Sequence, residues 1–182
     1  MSSGLLTDEE RERIGALLID SHQRFLDSIR GLTPGQWAFK PGEDVWSVAE
    51  CCDHVGGAER LFLAMVRRGL IESPERAEAV QGKQKIVLKA VSNRQVRVKV
   101  PVPIAAYGNV SSPEEFEPAF TATHEKTLEY VRTTQDPLHL RVREHFMLGD
   151  FDGAQWLELI AAHRLRHRNQ IEEIKTLPGY PG

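Results

Sequence analysis

The chain has 182 residues, 41% of them apolar and 27% charged, and a formal net charge of −3. These values describe a globular chain long enough for one domain of ordinary size, 1–182, whose core needs no disulfide to hold it. They exclude nucleic acid as the main partner, which calls for a basic excess, and also a membrane span, because no apolar run approaches the ~18 residues one requires.

The N-terminal stretch from Met1 to Glu10 has no basic segment followed by an apolar one, so no signal peptide is expected. Thr7-Asp8-Glu9-Glu10 is a capping box: the hydroxyl accepts a free amide and the glutamate reaches back. Ile14, Leu17, Leu18, Phe25 and Ile29 follow at helical spacing, to about Arg30. A linker from Gly31 to Asp44 holds Trp37. Ser47-Val48-Ala49-Glu50 starts a second helix, with Trp46 placed to staple onto Cys51. Val55, Leu61, Phe62, Met65 and Val66 continue that helix, which fades at Gly69. Cys51 and Cys52 are adjacent and cannot bridge distant parts of the chain, which fits a reducing, cytoplasmic setting.

Residues 70 to 111 form the longest connection. Its middle, Arg97 to Pro103, alternates like a strand, but the prolines allow only an edge strand or an extended loop. Ser112-Pro113-Glu114-Glu115 starts a third helix, with proline at the first helical position, where its missing N–H costs nothing. Phe116, Phe120, Leu128 and Val131 follow. Asp152-Gly153-Ala154-Gln155 starts a fourth, with Phe151 and Trp156 as its staple, and this helix runs to about Lys175. Four amphipathic helices with one long crossover between the second and third predict an all-α four-helix bundle.

The fourth helix carries the chemistry. Its apolar stripe runs through Trp156, Ile160, 163, 167, Ile171 and Ile174, and the two middle positions are His163 and His167. A spacing of four places both imidazoles on one face a turn apart, where they can bind one metal ion. The inward stripe of the second helix, Cys51, His54, Val55, Ala58, Leu61 and Met65, adds His54. Crossing helices then bring three nitrogens to one site, with a position left open for water or substrate. The alternative is a metal-free core in which the histidines pair with carboxylates.

The stretch Trp46-Ser47-Val48-Ala49-Glu50-Cys51-Cys52-Asp53-His54 resembles the Trp-Ser-x-x-Glu-x-x-x-His pattern of the DinB/YfiT-like superfamily. His145 to Gly149, followed by Trp156, His163, His167 and Gln170, is similar to that family's closing block, His-x-x-x-His-x-x-Gln-Ile. The resemblance extends from the first helix to Ile174. It implies a four-helix bundle holding a divalent metal ion, nickel or zinc, on His54, His163 and His167. It also implies an enzyme using a low-molecular-weight thiol, as bacillithiol transferases and mycothiol-dependent maleylpyruvate isomerase do, or else a metal-dependent hydrolase. A non-catalytic module that binds metal or a small ligand is the alternative.

Three neutral imidazoles leave the ion its charge, so it either lowers the pKa of a bound water to about 7 or binds a thiolate. Asp53 and Glu59 fall off the inward stripe, so no general base is named; with this, and mostly through what the resemblance implies, the expectation tilts slightly towards thiol chemistry. The expected partner is a small molecule, an anionic thiol among the candidates, and a homodimer is left open. Lys83, Lys85, Lys89, Arg94, Arg97 and Lys99 follow one another with no acidic residue between Glu78 and Glu114. They read as a solvated loop or as a positive rim that attracts an anion. His145 reads as a turn-stabilising residue, and Cys51 as a small buried hydrophobe rather than a ligand. His22, His124 and His139, with polar neighbours in sequence, read as surface residues. Arg164, Arg166 and Arg168 read mostly as a solvated face.

Overall fold

Each long helix begins at the residue whose side chain can satisfy its first free amides. In the computed structural model, which describes residues 4–70, 72–73, 75, 91–94, 110–145 and 148–182, α1 spans Asp8–Ile29 and is capped by Thr7. The short α2, Pro34–Ala38, lies in the first linker. Helix α3, Val48–Ala64, is capped by Ser47 and runs on into a π-helical turn, Met65–Gly69. Helix α4, Pro113–Thr133, starts after Ser112, and α5, Gly153–Lys175, starts after Asp152. In all four the cap side chain accepts the amide three residues on, as the sequence patterns predict. The α2 start was not anticipated, although Thr33 and Gln36 form the same reciprocal box. It seats Trp37, 2% exposed, whose Nε1 donates to the Val110 carbonyl at 3.2 Å.

Helix α5 packs against α1 and α3, and α4 packs against the same two, which closes a four-helix bundle. The expected all-α class holds, with one small addition. Strands β1, Val142–His145, and β2, Gly149–Asp152, form an antiparallel hairpin leading into α5. Gly149 has φ +78°, a backbone conformation open to glycine in that tight return. Phe151 and Trp156 meet edge to face at 5.7 Å, as the staple predicts. The strand-like stretch Arg97 to Pro103 lies outside the described residues. Among the described residues, no helix is long and apolar enough to cross a membrane.

Two apolar clusters fill the bundle. One gathers Ile14, Leu18, Phe151, Trp156, Leu157 and Ile160, and the other Phe25, Cys51, Val55, Phe116, Phe120 and Ile171. Against both clusters lies a buried polar pair, formed by Arg164, which reads as solvated face in the sequence, and Glu59, which reads as lying off the inward stripe. Arg164 is 1% exposed and Glu59 2%, while Leu61, assigned to the inward stripe, is 58% exposed. The reason is that α3 is covered from two sides, by α5 and by α4. A second stripe, Cys52, Gly56, Glu59 and Leu63, therefore faces inward, and Leu61 lies opposite it.

Candidate metal centre

The buried faces of α3 and α5 bring His54, His163 and His167 together. Their potential ligand atoms all lie within 4.8 Å of one another. His54 Nε2 and His163 Nε2 are 3.1 Å apart. The ring centroids are 4.9 Å apart for His54 and His163, 4.7 Å for His54 and His167, and 4.5 Å for His163 and His167. Two nitrogens bound to one tetrahedral zinc ion at ~2.0–2.1 Å would lie about 3.3–3.4 Å apart, so the closest pair needs little adjustment to share an ion. Among the described residues no carboxylate or thiolate joins this group.

The surroundings suit a cation held by neutral rings. Burial, then the charge of the neighbouring histidines and of Arg166, holds His163 and His167 well below the ordinary imidazole pKa. Both therefore keep a lone pair at neutral pH. His167 Nδ1 donates to Gln170 Oε1 at 2.9 Å, which leaves Nε2 as the free lone pair. The Trp46 ring lies 4.8 Å from that of His54 and stacks 5.9 Å from that of His167. Phe62 meets His163 edge on at 5.6 Å. Apolar rings around the three imidazoles lower the local dielectric and restrict water.

Other sequence assignments fare differently. Cys51 and Cys52 are fully buried, burial raises both thiols far above their usual range, and neither belongs to the histidine group. His145 sits at the end of β1, 8% exposed, between Phe151 at 5.5 Å and Trp156 at 5.4 Å. His22 and His124 are not surface residues. They are 7% and 6% exposed and stack with centroids 4.0 Å apart. Their polar neighbours in sequence misled. Leu18, Phe25 and Leu26 around His22, and Phe120 and Leu128 around His124, mark the buried helix face.

His139 is half-buried, with Nδ1 2.9 Å from Asp152 Oδ2 and Nε2 3.2 Å from Glu10. Of the basic rim, only Arg94 is among the described residues. It pairs with Glu173 at 2.8 Å. Lys83, Lys85, Lys89, Arg97 and Lys99 lie outside the described residues. Arg166 is partly buried, its Nη1 donating to the carbonyls of Val91 at 3.1 Å and Asn93 at 2.7 Å. Glu59 does not lie off the inward face, where its place on the helix period puts it, because it is 2% exposed. Glu59 points inward but is committed to Arg164. Nothing local in sequence marks that pair, whose members are 105 residues apart.

The chain belongs to the DinB superfamily, whose family model matches residues 17–171. It is also similar to YuaE of Bacillus subtilis strain 168, an uncharacterized protein, at 20% identity over 149 residues, which is 82% of this chain and 89% of that one. Among solved structures it shares its fold with YfiT from Bacillus subtilis, described as a probable metal-dependent hydrolase with an unusual four-helix bundle topology. That likeness has a TM-score of 0.62 at 12% identity and covers 97% of this chain and 91% of that one.

Proposed function

We propose that this member of the DinB superfamily holds one divalent metal ion, nickel or zinc, on His54, His163 and His167, and acts as a metal-dependent hydrolase of a small molecule. The observation that carries the reading is the convergence of three imidazoles, from two helices, among aromatic rings. The description of YfiT, whose fold the chain shares, supports it by analogy. A divalent ion held there by His54, His163 and His167 would supply a Lewis acid to the substrate. The protein's own part is to keep three lone pairs aimed at one point and to limit water with Trp46 and Phe62. Imidazole ligands suit nickel and zinc alike.

One observation favours a second reading, transfer of a low-molecular-weight thiol. No carboxylate accompanies the histidines among the described residues, and Glu59 is tied to Arg164. A carboxylate would help a hydrolase by taking the proton of the attacking water, whereas a thiol loses its proton more readily than water does. The basic composition of residues 83–99 fits an anionic thiol.

The test begins with elemental analysis of protein purified without an affinity tag. About one equivalent of nickel or zinc per chain is expected, and it should be lost in His54→Ala and in His163→Ala. Turnover of an ester and amide panel without thiol supports the hydrolase, and turnover of electrophiles only with added thiol supports the transferase. Wild-type protein that binds neither metal overturns both readings.

A further inference from the structure

We infer that Gln170 is the positioning residue that fixes which nitrogen of His167 faces the metal, and that Arg94, from the long connection, holds Gln170 in the required orientation. The inference rests on the metal reading above and adds a way for residues 91–94 to control it.

A glutamine side chain has two faces. Its carbonyl oxygen only accepts and its amide nitrogen only donates. The oxygen lies 2.9 Å from His167 Nδ1, so that nitrogen carries the proton and Nε2 keeps its lone pair. If the amide turned over, it would present N–H to Nδ1 and favour the opposite tautomer, with the proton on Nε2. Arg94 decides between the two. Its Nη1 donates to the same Oε1 at 3.3 Å, and a guanidinium has no acceptor to offer the flipped amide.

Arg94 is fixed in turn by Glu173. Nη2 lies 2.8 Å from Oε2, and Nε lies 3.3 Å from each carboxylate oxygen. His167, Gln170 and Glu173 succeed one another at three-residue intervals along one side of α5, so one arginine reaches the last two. A second clamp lies beside His167, where Arg166 donates to the carbonyls of Val91 and Asn93. Val91 also packs on the apolar cluster containing Trp156 and Ile160. Residues 91–94 are thus fastened to α5 on both sides of His167, and the third imidazole is oriented by a segment from outside the bundle helices. Hydrogen-bond partners of metal-binding histidines commonly set ring orientation in this way.

The test uses full-length protein freed of metal with a chelator. Zinc affinity is measured by competition with a chromophoric chelator. The His167 tautomer is read from imidazole 15N chemical shifts in the metal-free protein. Gln170→Leu should weaken zinc binding about 10–100-fold and give a mixed tautomer. Gln170→Glu keeps an acceptor oxygen and should bind within a few-fold of wild type. Arg94→Met should weaken zinc less, and should add little to Gln170→Leu, because Arg94 acts through Gln170. Wild-type affinity together with an unchanged tautomer in Gln170→Leu overturns the inference. Zinc binding that survives His54→Ala undiminished overturns the metal reading instead, and the tautomer measurement still decides the role of Gln170.

Discussion

The guanidinium of Arg164 donates to both carboxylate oxygens of Glu59 in the interior of the bundle, with neither side chain more than 2% exposed. The same guanidinium donates to the Leu18 carbonyl at 2.8 Å and the Ser21 hydroxyl at 3.4 Å, and lies 3.2 Å from His124 Nδ1. One cation on α5 therefore touches α1, α3 and α4. Glu59 is completed by the Thr127 hydroxyl at 3.3 Å. Beside this charge, burial and the field of Arg164 hold His22 down to about 4 and His124 down to about 3, so both stay neutral.

Removing one member of the pair should cost far more than removing both. Arg164→Met leaves the Glu59 carboxylate buried and uncompensated, a loss of about 3–5 kcal/mol. Arg164→Met combined with Glu59→Leu should recover most of it, since two apolar side chains need no partner. Urea unfolding of the single and double variants measures this. A double variant as unstable as Arg164→Met would show that the lost cation itself, through Leu18, Ser21 and His124, sets the stability.

His139 should make the fold more stable in mild acid than in mild base. The hydrogen bond to Asp152, with help from Glu10 and against the cost of burial, raises its pKa from 6.5 to about 9. A raised folded pKa means the folded state holds its proton more tightly than the unfolded state does. The stabilisation is therefore complete below pH 6.5 and is lost as pH rises through 9. At one pKa unit per 1.36 kcal/mol, the contribution is about 3 kcal/mol at most. His139→Gln should flatten the stability profile across that window, as read from urea midpoints at a series of pH values.

Gly153→Ala should destabilise by about 1–3 kcal/mol through overpacking. A Cβ there would lie 2.7 Å from Leu138 Cδ2, 2.8 Å from Leu138 Cβ and 2.9 Å from Leu70 Cδ2. Leu138 Cβ cannot swing away as the end of a flexible side chain could. The glycine lets the first turn of α5 meet the segment before β1. Thermal unfolding of Gly153→Ala beside Gly15→Ala, where a Cβ meets nothing within 4 Å, separates crowding from helix propensity.

Cys51 and Cys52 should be inert in the folded protein. Both are 0% exposed, with raised pKa values. A thiol-specific reagent should label neither at neutral pH and both after unfolding. Replacing both with alanine should leave zinc affinity within a few-fold of wild type. Loss of zinc with the fold intact by circular dichroism would make Cys51 a ligand.

Much of the fold was legible because helix starts are written locally. Thr7, Ser47, Ser112 and Asp152 each satisfy an amide three residues away, so four residues suffice to mark the event. Grouping His54, His163 and His167 needed only two further facts, a helical period of 3.6 and an apolar stripe interrupted by imidazole. The hairpin was harder to see. Its strands have four residues each and carry charge at Arg143, Glu144 and Asp150, so no apolar alternation announces them.

What sequence alone determined was therefore the four long helices, their caps, and the shared face that holds His163 and His167 on α5 and His54 on α3. Each depends on interactions within a few residues along the chain. Only the tertiary structure decided which charges are interior. Arg164 reads as one of several exposed arginines until α1, α3 and α4 surround it. Glu59 reads as lying off the inward stripe until α4 covers a second side of α3. His139 becomes a cation only where Glu10 and Asp152, from two different helix starts, meet its ring. Gln170 acquires a direction only through Arg94, 76 residues away. The physical reason is common to all four. A helix pattern reports which side of a cylinder is apolar, but the protonation and orientation of a polar group depend on charges that the fold brings from other helices, and Coulomb interaction follows distance in space and not separation along the chain.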